Sequence, residues 1–260
     1  MNPPSAFDSI TYIGHATLLL EIDGVRILTD PLLRDWVFHL KRRGPKIAAS
    51  LYRDIDAVLI SHLHRDHFDI PSLRLLGRDI RLVVPAGAAA YLHKRGFHNI
   101  LEMQPGDTTR IGGLTIQATH AEHHGSVLPG GSSTACLGYL VRGTQGFYFP
   151  GDTDVFQEMA DLAADLDVAL LPVWGWGPNL GPGHMNPTRA AEALTLLRPR
   201  IAIPIHWGTL YPRGLGWFRS YLMTQPPQLF HQEASRQVPQ VEVHILAPGS
   251  SLRIPVPQNR

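Results

Sequence analysis

The chain has 260 residues, of which 44% are hydrophobic and 17% charged, and its formal net charge is +1. That supplies a large core, argues against disorder, and lacks the basic excess that tracks a phosphate backbone, so no nucleic acid partner is expected. The single cysteine, Cys136, excludes a disulfide framework or a multi-cysteine metal site, whereas fourteen histidines ask for an explanation because imidazole is the commonest side-chain metal ligand.

Met1-Asn2-Pro3-Pro4 has no basic-then-apolar leader pattern, and no window reaches the ~18 uninterrupted apolar residues of a membrane span. The expectation is a cytoplasmic protein forming one domain over residues 1–260. From Ser9 to Asp30 the pattern predicts a hairpin, with Thr17 to Ile22 and Val25 to Asp30 turning at Asp23-Gly24. Pro31 to Ser50, with Trp36, Phe38 and the basic run Lys41-Arg42-Arg43, reads as an exposed loop or lid with a short helix.

Asp56 to Ser61 suits a buried strand, Ile70 to Leu76 a short helix, Arg81 to Pro85 a strand, and Ala86 to Arg95 a helix stopped by Gly96. Strands follow over Thr109 to Ala118, Cys136 to Val141 and Gly146 to Phe149, which places Cys136 as a buried small side chain. A helix-compatible stretch begins at Asp154. Val168 to Pro172 reads as a strand, Val173 to Gly183 as a Gly/Pro/Trp-rich loop, Pro187 to Leu197 as a helix opened by its proline, and Ile201 to Ile205 as a strand. Two such halves suggest two sheets packed face to face with helices outside, an α/β architecture.

The chemistry concentrates where the run Asp56 to Ser61 ends. In extended backbone residues 62 and 64 point to one side, so His62 and His64 can reach one metal ion, with Asp66 and His67 just beyond where the chain turns. A lone histidine after a strand is ordinarily structural, but four ligand-type side chains within six residues are a metal site.

His62-Leu63-His64-Arg65-Asp66-His67 after a short apolar strand resembles the signature of the metallo-β-lactamase superfamily. Thr29-Asp30-Pro31, Ala121-Glu122-His123, Gly151-Asp152-Thr153 and Ile205-His206-Trp207-Gly208 resemble its later segments in order. The resemblance implies a four-layer αββα sandwich of two mixed β-sheets with helices on the outer faces. Within the superfamily the chain is most similar to the branch of N-acylphosphatidylethanolamine phospholipase D and the bacterial ascorbate-6-phosphate lactonases. Ile13-Gly14-His15-Ala16-Thr17, Arg26 to Pro31, Phe149 to Thr153, His184-Met185-Asn186-Pro187 and Ala202 to Thr209 carry that likeness.

Carried over by position, the resemblance implies one metal on His62, His64 and His123, a second on Asp66, His67 and His206, and Asp152 bridging them. Zn2+ suits these imidazole and carboxylate ligands, with Mn2+ and Fe2+ as alternatives. His120 competes with His123 for its place, and His124 is a neighbouring or exposed histidine. The implied reaction uses a metal-bridging hydroxide, oriented by Asp66, as nucleophile. His64 stands where flavodiiron relatives carry Glu, which favours hydrolysis over redox chemistry, and Asp152 stands where zinc β-lactamases carry Cys or Ser.

The implied activity is that of a dinuclear hydrolase cleaving a phosphodiester on a small-molecule or lipid-like substrate. Lactonase or carboxylic-ester hydrolysis is the alternative, and a nuclease of the same superfamily is more remote. His15 and His184 are read as pocket residues that contact a phosphate or give a proton to the leaving alkoxide, or else as structural histidines. Asp30 holds a ligand histidine or caps a strand. Trp174, Trp176, Trp36 and Phe38 form an apolar substrate wall or pack in the core. Lys41-Arg42-Arg43 reads as a solvated face, or as an attractor of an anionic substrate or a membrane surface at peripheral contact. Tyr211 and Arg213 follow His206 closely enough to reach the site.

Overall fold

The expected hairpin forms in the computed structural model of the chain, which describes residues 7–124, 134–177, 180–214 and 220–256. It joins β2 (Thr17–Ile22) to β3 (Val25–Thr29), and a further strand, β1 (Phe7–Gly14), precedes it. After β3 come β4 (Trp36–Val37) and β5 (Leu40–Arg42), two short strands where a loop was expected. They are too short to carry a period-2 signal; they pair with each other, and it is the pairing of β5 with β15 (Leu210–Pro212), far along the chain, that makes a small three-stranded sheet.

The first large sheet continues through β6 (Ala57–Leu59), then, past α1 (Ile70–Leu75), β7 (Leu82–Pro85) and, past α2 (Ala89–His93), β8 (Ile100–Met103). The second begins with β9 (Thr108–Ile111) and β10 (Leu114–His120), since a turn at Gly112-Gly113 breaks the single strand expected there. It continues through β11 (Leu137–Arg142), β12 (Gly146–Phe149), a 3-10 helix over Gln157–Asp165, β13 (Val168–Pro172), α3 (Pro187–Leu197) and β14 (Ile201–Ile205). α4 (Gln225–Gln237), β16 (Glu242–Val243) and β17 (Ser250–Pro255) close the described chain.

The strand orders are β17-β1-β2-β3-β6-β7-β8 and β16-β14-β13-β12-β11-β10-β9. Each sheet is antiparallel in one half and parallel in the other: β3, β6, β7 and β8 run together, as do β12, β13, β14 and β16. Strand alternation then builds the layers. In β2, Leu18, Leu20 and Ile22 point into the core between the sheets, while Leu19 faces outward with Leu73 of α1 and Leu92 of α2. Val58 of β6, and Leu82 and Val84 of β7, join that outer layer, whereas Leu59 and Val83 face the inter-sheet core. Truncating one of these fully buried leucines to alanine would cost about 2–5 kcal/mol.

Both main helices near the site are capped. Asp69 accepts from the Ser72 amide at the start of α1, and Asn186 accepts from the Arg189 amide at the start of α3, where Pro187 opens the helix as expected. The result is the metallo-β-lactamase sandwich expected from the sequence, two mixed sheets with helices outside.

Candidate metal centre

The site assembles where the parallel strands of both sheets reach their carboxyl ends, the edge at which open α/β sheets place ligands. β3 delivers Asp30, β6 delivers the loop of His62, His64, Asp66 and His67, β12 delivers Asp152, and β14 delivers His206. The β1–β2 turn adds His15, β10 leads to His123, and the segment capping α3 adds His184. Three of these residues hold positive φ without being glycine: His15 at 59°, Asp30 at 33° and His206 at 65°. Such strain costs of order 1–3 kcal/mol per residue and persists only where the surroundings over-determine it. At His15 and His206 they do, because the His206 amide donates to the His15 carbonyl at 2.8 Å and the His15 amide donates to Thr209 Oγ1 at 2.9 Å.

Two groups of ligand atoms result. His62 Nε2 and His123 Nε2 lie 2.9 and 3.2 Å from His64 Nδ1. His15, Asp66, His67 and His206 form the other group, with His67 Nε2 and His206 Nε2 3.1 Å apart. Asp152 lies between the two, Oδ2 at 3.2 Å from His67 Nε2 and 4.0 Å from His62 Nε2, and Oδ1 at 3.2 Å from His206 Nε2. His123 therefore joins this assembly, whereas the competing His120 is exposed and paired with Glu122. His124 is exposed as well.

The outer hydrogen bonds decide which ring nitrogens carry protons. His123 Nδ1 faces the Gly183 carbonyl at 2.8 Å and His206 Nδ1 faces the Trp174 carbonyl at 2.6 Å, and a carbonyl only accepts. Both Nδ1 atoms therefore donate, leaving Nε2 lone pairs turned inward. His67 Nδ1 donates to Asp30 Oδ2 at 2.7 Å. Ser61 Oγ donates to the same oxygen at 2.5 Å, so His62 Nδ1 donates to Ser61 Oγ at 2.9 Å. The inward Nε2 lone pairs of His62, His123 and His206, beside a buried Asp152 Oδ1 that no hydrogen bond satisfies, are a donor set fitted to a cation.

Burial pushes the imidazoles down, His123 to about 4 and His206 to about 3, and His62 well below the usual histidine range. His67 goes the other way: burial disfavours its charge, but Asp152 and Asp66 hold it protonated well above that range in the metal-free protein. Burial would likewise raise Asp152 and Asp66, yet His206 and His67 hold the first, and His67 and His15 the second, well below the usual carboxylate range.

A cleft of about 460 Å³ opens on this assembly, lined by Arg65, Asp66, Asp152, Trp176, Leu180 and His184 among others. His184 Nε2 sits 3.4 Å from Asp152 Oδ2, and although burial opposes it, that carboxylate raises its pKa. His15 does not line the cleft: it is 1% exposed, its Nε2 lies 3.1 Å from Asp66 Oδ2, and its ring packs on His206, which corrects its reading as a substrate-facing group. Trp174 is core, and Trp176 faces the cleft. Arg42 is no part of a solvated face. It is 7% exposed, donating to the carbonyls of Ile13 and Leu32, because β5 turns it inward while Lys41 and Arg43 point out. Tyr211 is buried, Arg213 is exposed, and Cys136 is buried with its thiol pushed up to about 12 by desolvation. Ser61, Gly183 and Trp174 serve the ligands through groups that leave no signature in a sequence, two of them backbone carbonyls.

Residues 25–207 match the family model described as the Beta-lactamase superfamily domain. The chain belongs to the metallo-β-lactamase superfamily. A UPF0173 metal-dependent hydrolase of Methanopyrus kandleri is 34% identical to this superfamily member over 93% of the chain and 98% of its own length. The N-acyl-phosphatidylethanolamine-hydrolyzing phospholipase D 1 of Caenorhabditis elegans is 31% identical over 78% of the chain and 64% of its own length. Among solved structures, Igni18, a metallo hydrolase of Ignicoccus hospitalis, superposes with a TM-score of 0.73 at 24% identity over 95% and 98% of the two chains, a likeness of fold. No helix among the described residues of this superfamily member is long and apolar enough to cross a membrane.

Proposed function

We propose that the protein is a dinuclear metal-dependent hydrolase that cleaves a phosphodiester in a small-molecule or lipid-like substrate. His62, His64 and His123 would hold one ion, Asp66, His67 and His206 the second, with Asp152 shared. The observation that carries this reading is the convergence of the unprotonated Nε2 atoms of His62, His123 and His206 and the unsatisfied Asp152 Oδ1 beside the cleft. Bound divalent ions, zinc foremost, supply Lewis acidity, making water a nucleophile near neutral pH and offsetting charge on the scissile group.

The protein's own groups do the rest. Asp66, kept ionised and held by His15, orients the attacking water by accepting its hydrogen bond. His184, partly exposed in the cleft and with its pKa raised by Asp152, gives its proton to the leaving alkoxide. Arg65 meets the anionic phosphate, and Trp176 and Leu180 cover an apolar substituent. The phospholipase relative supports the phosphodiester. A lactone or other carboxylic ester is the alternative, favoured by Arg65 being the sole arginine or lysine among the described cleft-lining residues.

Metal analysis of protein purified without added metal, followed by assay on bis-p-nitrophenyl phosphate, a lactone panel and phospholipids, tests the proposal. Two ions per chain and turnover of the phosphodiester are expected. Less than one ion, with no hydrolysis after zinc or manganese is added, would sink it.

A further inference from the structure

The small sheet of β4, β5 and β15 has two unlike faces. Val37, Leu40 and Leu210 are buried against Leu32, and Arg42 turns inward beside them. On the opposite face Trp36, 53% exposed, pairs across the strands with exposed Lys41. At the β4–β5 turn Phe38 is 68% exposed and has a φ of 50°. A bulky L-residue is strained in that left-handed conformation, where glycine would not be. Phe38 thus works against stability twice, through its backbone and through a ring left in water, so its place is not explained by the fold.

Cations surround these rings. The Arg65 guanidinium lies 5.2 Å from the Phe38 ring, and Lys41 and Arg213 line a depression beside Trp36 in which Asp35 is the one carboxylate among the described residues. Lys41, Arg43, Arg65 and Arg213 are exposed and form no ion pair among the described residues, unlike Arg34, whose guanidinium is held by Asp69. Over the whole chain 23 basic residues face 22 acidic ones, so this concentration is local.

We propose that this face docks on a lipid bilayer carrying anionic headgroups. Trp36 and Phe38 enter the boundary between headgroups and acyl chains, where amphipathic and aromatic rings are favoured, and the lysine and arginines pair with the lipid phosphates. The orientation suits the cleft: His39, next to Phe38, lies edge-on to Trp176 at 5.0 Å, and Trp176 and Arg65 both line the cleft. Docking brings the cleft mouth to the membrane surface whichever ester it hydrolyses.

The test is cosedimentation of the metal-loaded protein with vesicles of phosphatidylcholine alone or mixed with phosphatidylglycerol, which needs no turnover. Binding should be about tenfold or more tighter to the mixed vesicles and should weaken as salt rises. Phe38→Gly and Trp36→Ala should each weaken it by roughly tenfold, with the Tm of Phe38→Gly not below wild type. If that Tm does fall, Lys41→Glu, which leaves the apolar face of the sheet intact, must still lose about tenfold in binding or the proposal fails. Absence of binding to anionic vesicles, equal binding to both kinds, or unchanged binding in both aromatic variants overturns it.

Discussion

The imidazoles of His15 and His206 lie with ring centroids 3.8 Å apart, and the His206 amide donates to the His15 carbonyl. His15 comes from a turn of the first sheet and His206 from a strand end of the second, and His15 also reaches Asp66 at 3.1 Å. One buried side chain thus orients a carboxylate and an imidazole from opposite halves of the site. His15→Ala should lower metal occupancy and kcat by about 10–100-fold, the usual cost of removing a group behind a ligand, with KM little changed. Metal content and steady-state kinetics would check this, and full occupancy with full turnover would show that His15 positions neither partner.

Asp30 accepts the Ser61 amide at 2.7 Å, the Ser61 hydroxyl at 2.5 Å and His67 Nδ1 at 2.7 Å, with no exposure to solvent. Asp30→Ala strands all three donors in the interior and should cost about 3–5 kcal/mol. Urea unfolding of the metal-free protein measures it, and a loss under about 1 kcal/mol would mean that water replaces the carboxylate.

Metal-free protein should be most stable near about pH 6.5. Burial holds His123 at about 4 and His206 at about 3, whereas in the unfolded chain both return to about 6.5. The unfolded state therefore binds more protons between these values, and acidification from about pH 6.5 toward 4 removes stability. His67 has the opposite sign. Burial disfavours its proton, but Asp152 and Asp66 bind it more tightly in the fold, so its contribution is complete below about pH 6.5 and is lost as pH rises through the folded value. Unfolding midpoints in chelator across this range should fall on both sides; a steady rise with pH would contradict the assignment of His67.

Gly151 has a φ of 64°, and a Cβ there would come within 2.7 Å of Ser61 Oγ and 3.3 Å of the Leu137 carbonyl. Gly151→Ala should destabilise the protein by about 1–3 kcal/mol through overpacking and displace the Ser61 that steers His62. Thermal unfolding combined with metal analysis would detect both effects, and retention of both metal content and Tm would refute the close approach.

The run His62 to His67 could be read directly because its ligands are neighbours whose spacing is fixed by the local backbone. Asp152 and His206 needed the family resemblance, since no local rule links residues so far apart. The long strands and Pro187–Leu197 carried their periodicity and caps in sequence. β4 and β5 did not, because strands of two or three residues exist through pairing, β4 with β5 and β5 with the distant Leu210–Pro212. Arg42 within a basic triplet resembles a solvated face, and only its strand register shows that it points inward. α4 is polar overall and buries only Pro226, Pro227, Phe230 and Ala234, so its apolar stripe is thin in the sequence.

His62 and His206 are separated by more than half of the chain, and each ends a strand of a different sheet. On the proposed ligand set, a nascent chain that has emerged only as far as His123 already carries three histidines for one ion, but the partner ion lacks His206 until β14 has been synthesised and both sheets have docked. Metal capture would then be sequential, with the second ion registering the completion of tertiary folding.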